Sequence, residues 1–162
     1  MKKVLIVLSF FLLFSCRNQE NDRSIKIEKM EFRASFCDPF KKDIIELGDI
    51  EKEKVIEKFH SIGWDDYLKR MSSSKENEIY FSPSLEIENK NNKNGIAISA
   101  IDGKEWYIFY KRPKMVKKFF GLSEKMNENY LTDITGQTKQ DVLDCLNALL
   151  KNDLKFLENK IK

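Results

Sequence analysis

An α+β fold is predicted for this 162-residue chain: a single small domain whose antiparallel β-meander is packed by helices, with a long helix at the C-terminus. Two observations predict it. Between residues 79 and 110, short runs of alternating apolar and polar side chains are separated by turn signals, the pattern of antiparallel strands. Near the end of the chain, Val142, Cys145, Leu146, Leu149, Leu150, Leu157 and Ile161 recur at helical spacing. No internal repeat and no second domain is visible.

The chain opens with Lys2 and Lys3, then runs Val4 to Ser15 with only two serines among apolar residues. That is the charged start and apolar core of a secretory signal peptide. The run is too short to span a membrane, which takes about 20 residues. Arg17, Asn18, Gln19 and Glu20 follow at once. Leu13-Phe14-Ser15-Cys16 resembles the lipobox of bacterial lipoproteins, with Leu three positions before Cys and a small residue directly before it. Phe14 departs from the pattern, which favours a smaller side chain there. The resemblance implies cleavage of a lipoprotein signal peptide, residues 1–15, and a lipid anchor on Cys16. The protein would then sit on a membrane of the cell envelope, facing the periplasm, with the outer membrane preferred to the inner, or facing the cell surface. Each buried methylene contributes about 0.8 kcal/mol, so two or three acyl chains hold permanently where one myristoyl chain binds only marginally. Residues 16–24 are the lipidated Cys and a polar tether, and residues 25–162 are the globular domain.

Within the domain, alternation begins at Ile25 and Ile27 and changes phase before Met30, Phe32, Ala34 and Phe36, which suggests a bulge or two strands. Asp38-Pro39 predicts a helix start and Gly48 its stop, giving a short helix to Leu47. A second helix is predicted over Ile50–Ile62, with Val55, Ile56, Phe59 and Ile62 as its apolar stripe and Gly63 ending it. Trp64 to Met71 adds one or two turns before a polar loop at 72–77. Strands are predicted at Ile79–Phe81, Leu85–Glu88, Ile96–Ile101 and Trp106–Tyr110. Asn94-Gly95 closes one turn and Asp102-Gly103 a two-residue hairpin. Lys111–Lys114 ends the last strand, Met115–Leu122 reads as a short helix, and a connection runs to Gly136. Thr138-Lys139-Gln140-Asp141 resembles a capping box that opens one helix over about residues 139–160.

Processing would lower the formal charge from +3 to +1, because Lys2 and Lys3 leave with the signal. A nucleic-acid binder needs a clear basic excess, so nucleic acid is excluded as a partner. Beyond Cys16 the cysteines are Cys37 and Cys145. Export places them where disulfides persist, which invites a Cys37–Cys145 bridge; two separately buried thiols are the alternative. His60 is the single histidine and has no cysteine near it, so no metal site is expected. There is no Gly-x-Ser-x-Gly elbow and no glycine-rich phosphate loop, so no catalytic residue and no cofactor is assigned. Asp65-Asp66, between Trp64 and Tyr67, suits a helix N-terminus better than a sugar or cation site. Glu86 and Glu88 read as a solvated strand face.

The sharpest local feature is the basic run Lys111, Arg112, Lys114, Lys117 and Lys118, flanked by Tyr107, Phe109, Tyr110, Phe119 and Phe120. It suits an acidic protein surface or anionic lipid headgroups, or simply a solvated strand end over core aromatics. Phe81-Ser82-Pro83-Ser84, Gly95–Ala100 and Glu105–Lys114 together resemble small bacterial immunity proteins, which neutralise antibacterial toxins. The resemblance spans about residues 79–122 and implies a non-enzymatic protein that binds its partner by surface shape and charge. Trp64, Tyr67, Trp106 and Tyr110 would be the aromatic anchors, with Lys111, Arg112 and Lys114 as charge complements. An accessory or structural lipoprotein of an envelope complex is the alternative, and a small-ligand binder or enzyme the third reading.

Overall fold

Among the described residues, more lie in strands, with their period-two patterning, than in α-helices. The computed structural model describes residues 30–118 and 123–162. The expectations for the signal peptide, Cys16, the tether, Ile25, Ile27, Phe119 and Phe120 lie outside the described residues. Six strands, β1 (Phe32–Cys37), β2 (Ile45–Ile50), β3 (Ser84–Asn89), β4 (Gly95–Ala100), β5 (Trp106–Lys118) and β6 (Ser123–Gln137), form one antiparallel sheet in the order β2-β1-β3-β4-β5-β6. Four helices accompany it: α1 (Val55–Ser61), α2 (Trp64–Ser73), α3 (Lys139–Leu150) and α4 (Leu154–Lys160). This is the predicted α+β domain. Among the described residues no helix is long and apolar enough to cross a membrane.

Alternation decides which side each strand buries. Phe32, Ala34 and Phe36 of β1, Leu85 and Ile87 of β3, Ile96 and Ile98 of β4, and Trp106, Ile108 and Tyr110 of β5 share one core with the helices. Val55 and Phe59 of α1, Trp64 of α2, Val142, Cys145, Leu146 and Leu149 of α3, and Leu157 of α4 close over it. Trp64 and Trp106 meet edge to face at 5.1 Å, and both rings pack on Phe59.

Several predicted elements are corrected. Asp38-Pro39 opens a turn instead of a helix: the Phe40 N–H donates to the Asp38 carboxylate at 3.0 Å and the Lys41 N–H to its carbonyl. The chain then returns as β2. Gly48 lies inside that strand at φ +80, where the register slips between Ala34 and Ser35. The predicted Ile50–Ile62 helix shortens to a 3-10 turn at Lys52–Lys54 followed by α1. Ile79–Phe81 is not a strand, and Tyr80 and Phe81 are exposed. The left-handed residue of the 89–94 turn is Lys93, and Gly95 already belongs to β4. Asp102-Gly103 sits within a longer connection closed by Ile101 N–H to Glu105 O, with the Asp102 carboxylate capping the Lys104 and Glu105 amides.

The largest correction concerns residues 111–137. Instead of a short helix and a connection, β5 continues to Lys118 and β6 returns from Ser123 to Gln137. Pro113 is tolerated because β5 has by then left β4, and because β6 carries an extra residue opposite it. The lysine run and Pro113 disguise the alternation in sequence.

The predicted C-terminal helix is two helices. Its capping box is present: the Thr138 hydroxyl accepts from the Asp141 N–H, and the Asp141 carboxylate accepts from the Thr138 N–H. The break comes at Asn152, φ +58, whose N–H donates to Leu149 O while that of Asp153 donates to Ala148 O. This pair of bonds is a Schellman stop. Asp153 then caps α4 by accepting from the Phe156 N–H.

Candidate functional site

Because all four helices pack on one side, the opposite face of the sheet carries no helix among the described residues. Register places its side chains in rows. One row runs Asp49, Arg33, Glu88, Gly95, Lys111, Leu131; the next runs Glu46, Ser35, Glu86, Ala97, Phe109, Asp133. Arg33, Ser35, Glu46, Glu86 and Glu88 line a shallow depression of about 160 Å³. A larger half-open hollow of about 530 Å³, lined in part by Met30, Phe32 and Ile50, adjoins the point where the chain emerges.

Toward β6 the face turns apolar. The rings of Tyr107 and Phe109 lie 4.2 Å apart, and Leu131 is 53% exposed beside them. The Tyr107 hydroxyl donates to Asp133 at 2.7 Å. That bond to a carboxylate, together with desolvation, raises the Tyr107 pKa above the ordinary phenol value. Lys111 Nζ bridges Glu88 at 2.5 Å and Glu86 at 3.4 Å. Burial opposes its charge, but the two carboxylates outweigh burial and hold the pKa above the usual lysine value. The rows carry Asp49, Glu46, Glu86, Glu88 and Asp133 against Arg33 and Lys111, and Lys90 and Lys93 reach Asp49 and Glu88 from the 89–94 turn, so this face keeps only a narrow acidic excess.

Beyond Lys111 the β5–β6 hairpin leaves the sheet. Met115 and Met126 face each other across it, 49% and 44% exposed. Alternation along β5 keeps Met115 on the side of Tyr107, Phe109 and Lys111, so the apolar band continues out along the hairpin.

The seven residues expected to bind a partner scatter. Trp64, Trp106 and Tyr110 are buried in the core. Tyr110 donates its hydroxyl to Asn94 at 2.9 Å, and burial pushes its pKa up to about 12. Tyr67 is half-buried with its ring against Phe36. The basic run divides as well. Arg112 is buried between the rings of Tyr110 and Tyr130, donates to the Thr132 hydroxyl at 2.9 Å, and has its Nε 3.5 Å from Glu158. That Nε has no hydrogen-bond partner, so the ion pair with Glu158 is its nearest compensation. Lys111 is tied to Glu88, while Lys114 is exposed over the Tyr130 ring. Lys111 and Lys114 are therefore surface groups, and Arg112 is a packing group.

Cys37 and Cys145 are free. Cys37 follows Arg33 and Ser35 on the uncovered face, whereas Cys145 is buried under the other face, where burial raises its pKa to about 11. The two thiols lie on opposite sides of the sheet, the arrangement of the separate-thiol alternative. His60 is an exposed α1 residue, and Asp65 and Asp66 occupy the first turn of α2. The sequence reading missed Leu131, Asp133, Met115 and Met126 because it placed no strand there. The β-branched and aromatic run Tyr130–Thr135 was the available signal. No family model, curated protein or solved structure matches the chain.

Proposed function

We propose that this protein is an envelope lipoprotein, held by lipid on Cys16, that binds and neutralises an antibacterial toxin through its uncovered sheet face. The observation that carries the reading is that face itself: Tyr107, Phe109 and Leu131 form an apolar centre, framed by Glu46, Glu86, Glu88 and Asp133. A sheet side left without helices and furnished with aromatic rings suits docking of another macromolecule. Its charge favours a partner with a basic surface, the reverse of what the lysine run suggests when read alone. The anchor serves this role by holding the protein in the envelope, where an incoming toxin arrives.

Two measurements test the proposal. Cys16→Ala should abolish palmitate labelling and release the protein from membranes; unchanged labelling removes the anchor. Phe109→Asp combined with Leu131→Asp should weaken binding of the toxin encoded beside this chain by about 30-fold or more, as loss of a 2 kcal/mol hot spot requires. Protection of growth should fall with it. Full protection by a folded double variant removes this face from the binding site. Absence of any neighbouring toxin favours an accessory lipoprotein of an envelope complex.

A further inference from the structure

We infer that the free edge of β6 over Tyr130–Ile134 takes up an extended segment of the partner as an added strand, with a basic residue opposite Asp133 and an apolar one opposite Leu131. The inference rests on the docking face proposed above and names how a partner engages it. β6 is the last strand in the sheet order, so among the described residues no strand lies beyond it. Irregular pairing interrupts it in two places, opposite Tyr107 and opposite Pro113. Between these breaks Tyr130 to Ile134 pair with Arg112 to Ile108 without a slip. The window reads Tyr-Leu-Thr-Asp-Ile, a composition suited to a strand. The other edge offers less, because β2 slips at its Gly48 bulge.

Backbone direction shows which groups the β6 edge presents. The Ile101 N–H donates to Glu105 O at 3.0 Å, which makes that pair a bonded one. Bonded and non-bonded pairs alternate along an antiparallel ladder. Tyr107, Phe109 and Lys111 therefore direct their amides and carbonyls to β4, and Ile108, Tyr110 and Arg112 direct theirs to β6. Opposite these three stand Ile134, Thr132 and Tyr130, whose groups face β5. The N–H and C=O of Leu131 and Asp133 consequently point away from the sheet. The side chains of the same two residues stand on the uncovered face, Leu131 53% exposed. The strand is held from beneath: the Thr132 hydroxyl donates to Ile161 O at 3.0 Å and accepts from Arg112 at 2.9 Å. An edge already ordered loses little freedom on binding.

Asp133 is the single charge in the window, and opposite charges pair favourably across strands. An antiparallel segment reading basic, any, apolar sets its cation against Asp133 and extends the patch of Tyr107, Phe109 and Leu131. Two copies paired about Thr132 would set Asp133 against Leu131 twice, so a second copy fits this edge poorly. Added strands draw affinity from main-chain bonds and specificity from alternate side chains.

The test reads amide hydrogen exchange at single residues in the full chain purified in detergent. Without ligand, Leu131 and Asp133 should exchange fast, and Thr132 and Ile134 slowly. Slow exchange at Leu131 and Asp133 as well means that the edge is already covered and overturns the inference. The probe is the acetylated and amidated peptide Lys-Val-Lys-Val-Leu-Val-Lys. It should slow Leu131 and Asp133, whereas the same peptide N-methylated at its middle lysine and its leucine should not. Asp133→Asn, which keeps an acceptor for the Tyr107 hydroxyl, should weaken the peptide about threefold, the size of one cross-strand ion pair. No slowing by the peptide, or equal slowing by its N-methylated form, overturns the inference. So does a dimer of the chain that protects the same two amides, which assigns the edge to a second copy. The double variant of the preceding section scores the face separately. Toxin binding lost in that variant, without slower exchange at Leu131 and Asp133 in the parent complex, removes the added strand and leaves the face.

Discussion

Asp141 shows how much one side chain does at the start of α3. It accepts from the Thr138 N–H, takes the Thr138 hydroxyl, and pairs with Lys160 at 2.7 Å, so the capping box also ties α3 to the end of α4. The Lys160 ammonium, then the Thr138 bonds, hold its carboxyl down at about 2, below the usual aspartate value. A lowered folded pKa adds stability that is complete above the unfolded value near 4 and is lost as pH falls through 2. Asp141→Asn should therefore cost about 1 kcal/mol at neutral pH, of the size of a lost cap. The difference from the parent should shrink between pH 4 and 2, as read by urea denaturation. A gap that stays constant over that window would remove the carboxylate charge from the explanation. This capping box was legible in the sequence because its signal is local: four consecutive residues specify it. The burial of Arg112 was not, because it depends on Tyr130, Thr132 and Glu158 arriving from distant positions.

At the scale of the element, β2 and the β5–β6 hairpin mark where local reading gives way to sheet pairing. Ile44 to Ile50 has the composition of a weak helix as much as of a strand, and Asp38-Pro39 serves a turn and a helix start equally. Pairing with β1 decides between them, and Gly48 fits the bulge that pairing imposes. A Cβ at Gly48 meets nothing within 4 Å, so its backbone at φ +80 is the sole objection to a side chain. Gly48→Ala should cost about 1 kcal/mol or slightly more, lowering the urea midpoint with an unchanged slope. A neutral result would mean that β2 relaxes into another register. The central strands were legible because Leu85, Ile87, Ile96, Ile98, Trp106 and Ile108 alternate cleanly. β6 was not, since its outer half is polar and exposed and no core demands a pattern there. The candidate face shared that fate: Tyr107 and Phe109 stood in the sequence only as aromatics beside the basic run, with Trp106 and Tyr110 expected at the partner instead, and their companions Leu131 and Asp133 needed the strand.

For the whole molecule, placing every helix on one side creates both the core and the open face, and it also fixes the fate of the two domain cysteines. Cys37 should react with a thiol reagent in the native protein, and Cys145 only after unfolding. Intact mass without reductant should show both as thiols; a mass lower by one hydrogen pair would contradict the separation by the sheet. That separation reaches beyond stability. A fold with no crosslink to form asks nothing of disulfide catalysts, so its maturation is indifferent to oxygen and to redox poise. With Cys37 and Cys145 free, the domain should reach the same native state in a reducing or an oxidising compartment. For the toxin-neutralising role proposed above, that independence would remove one waiting step.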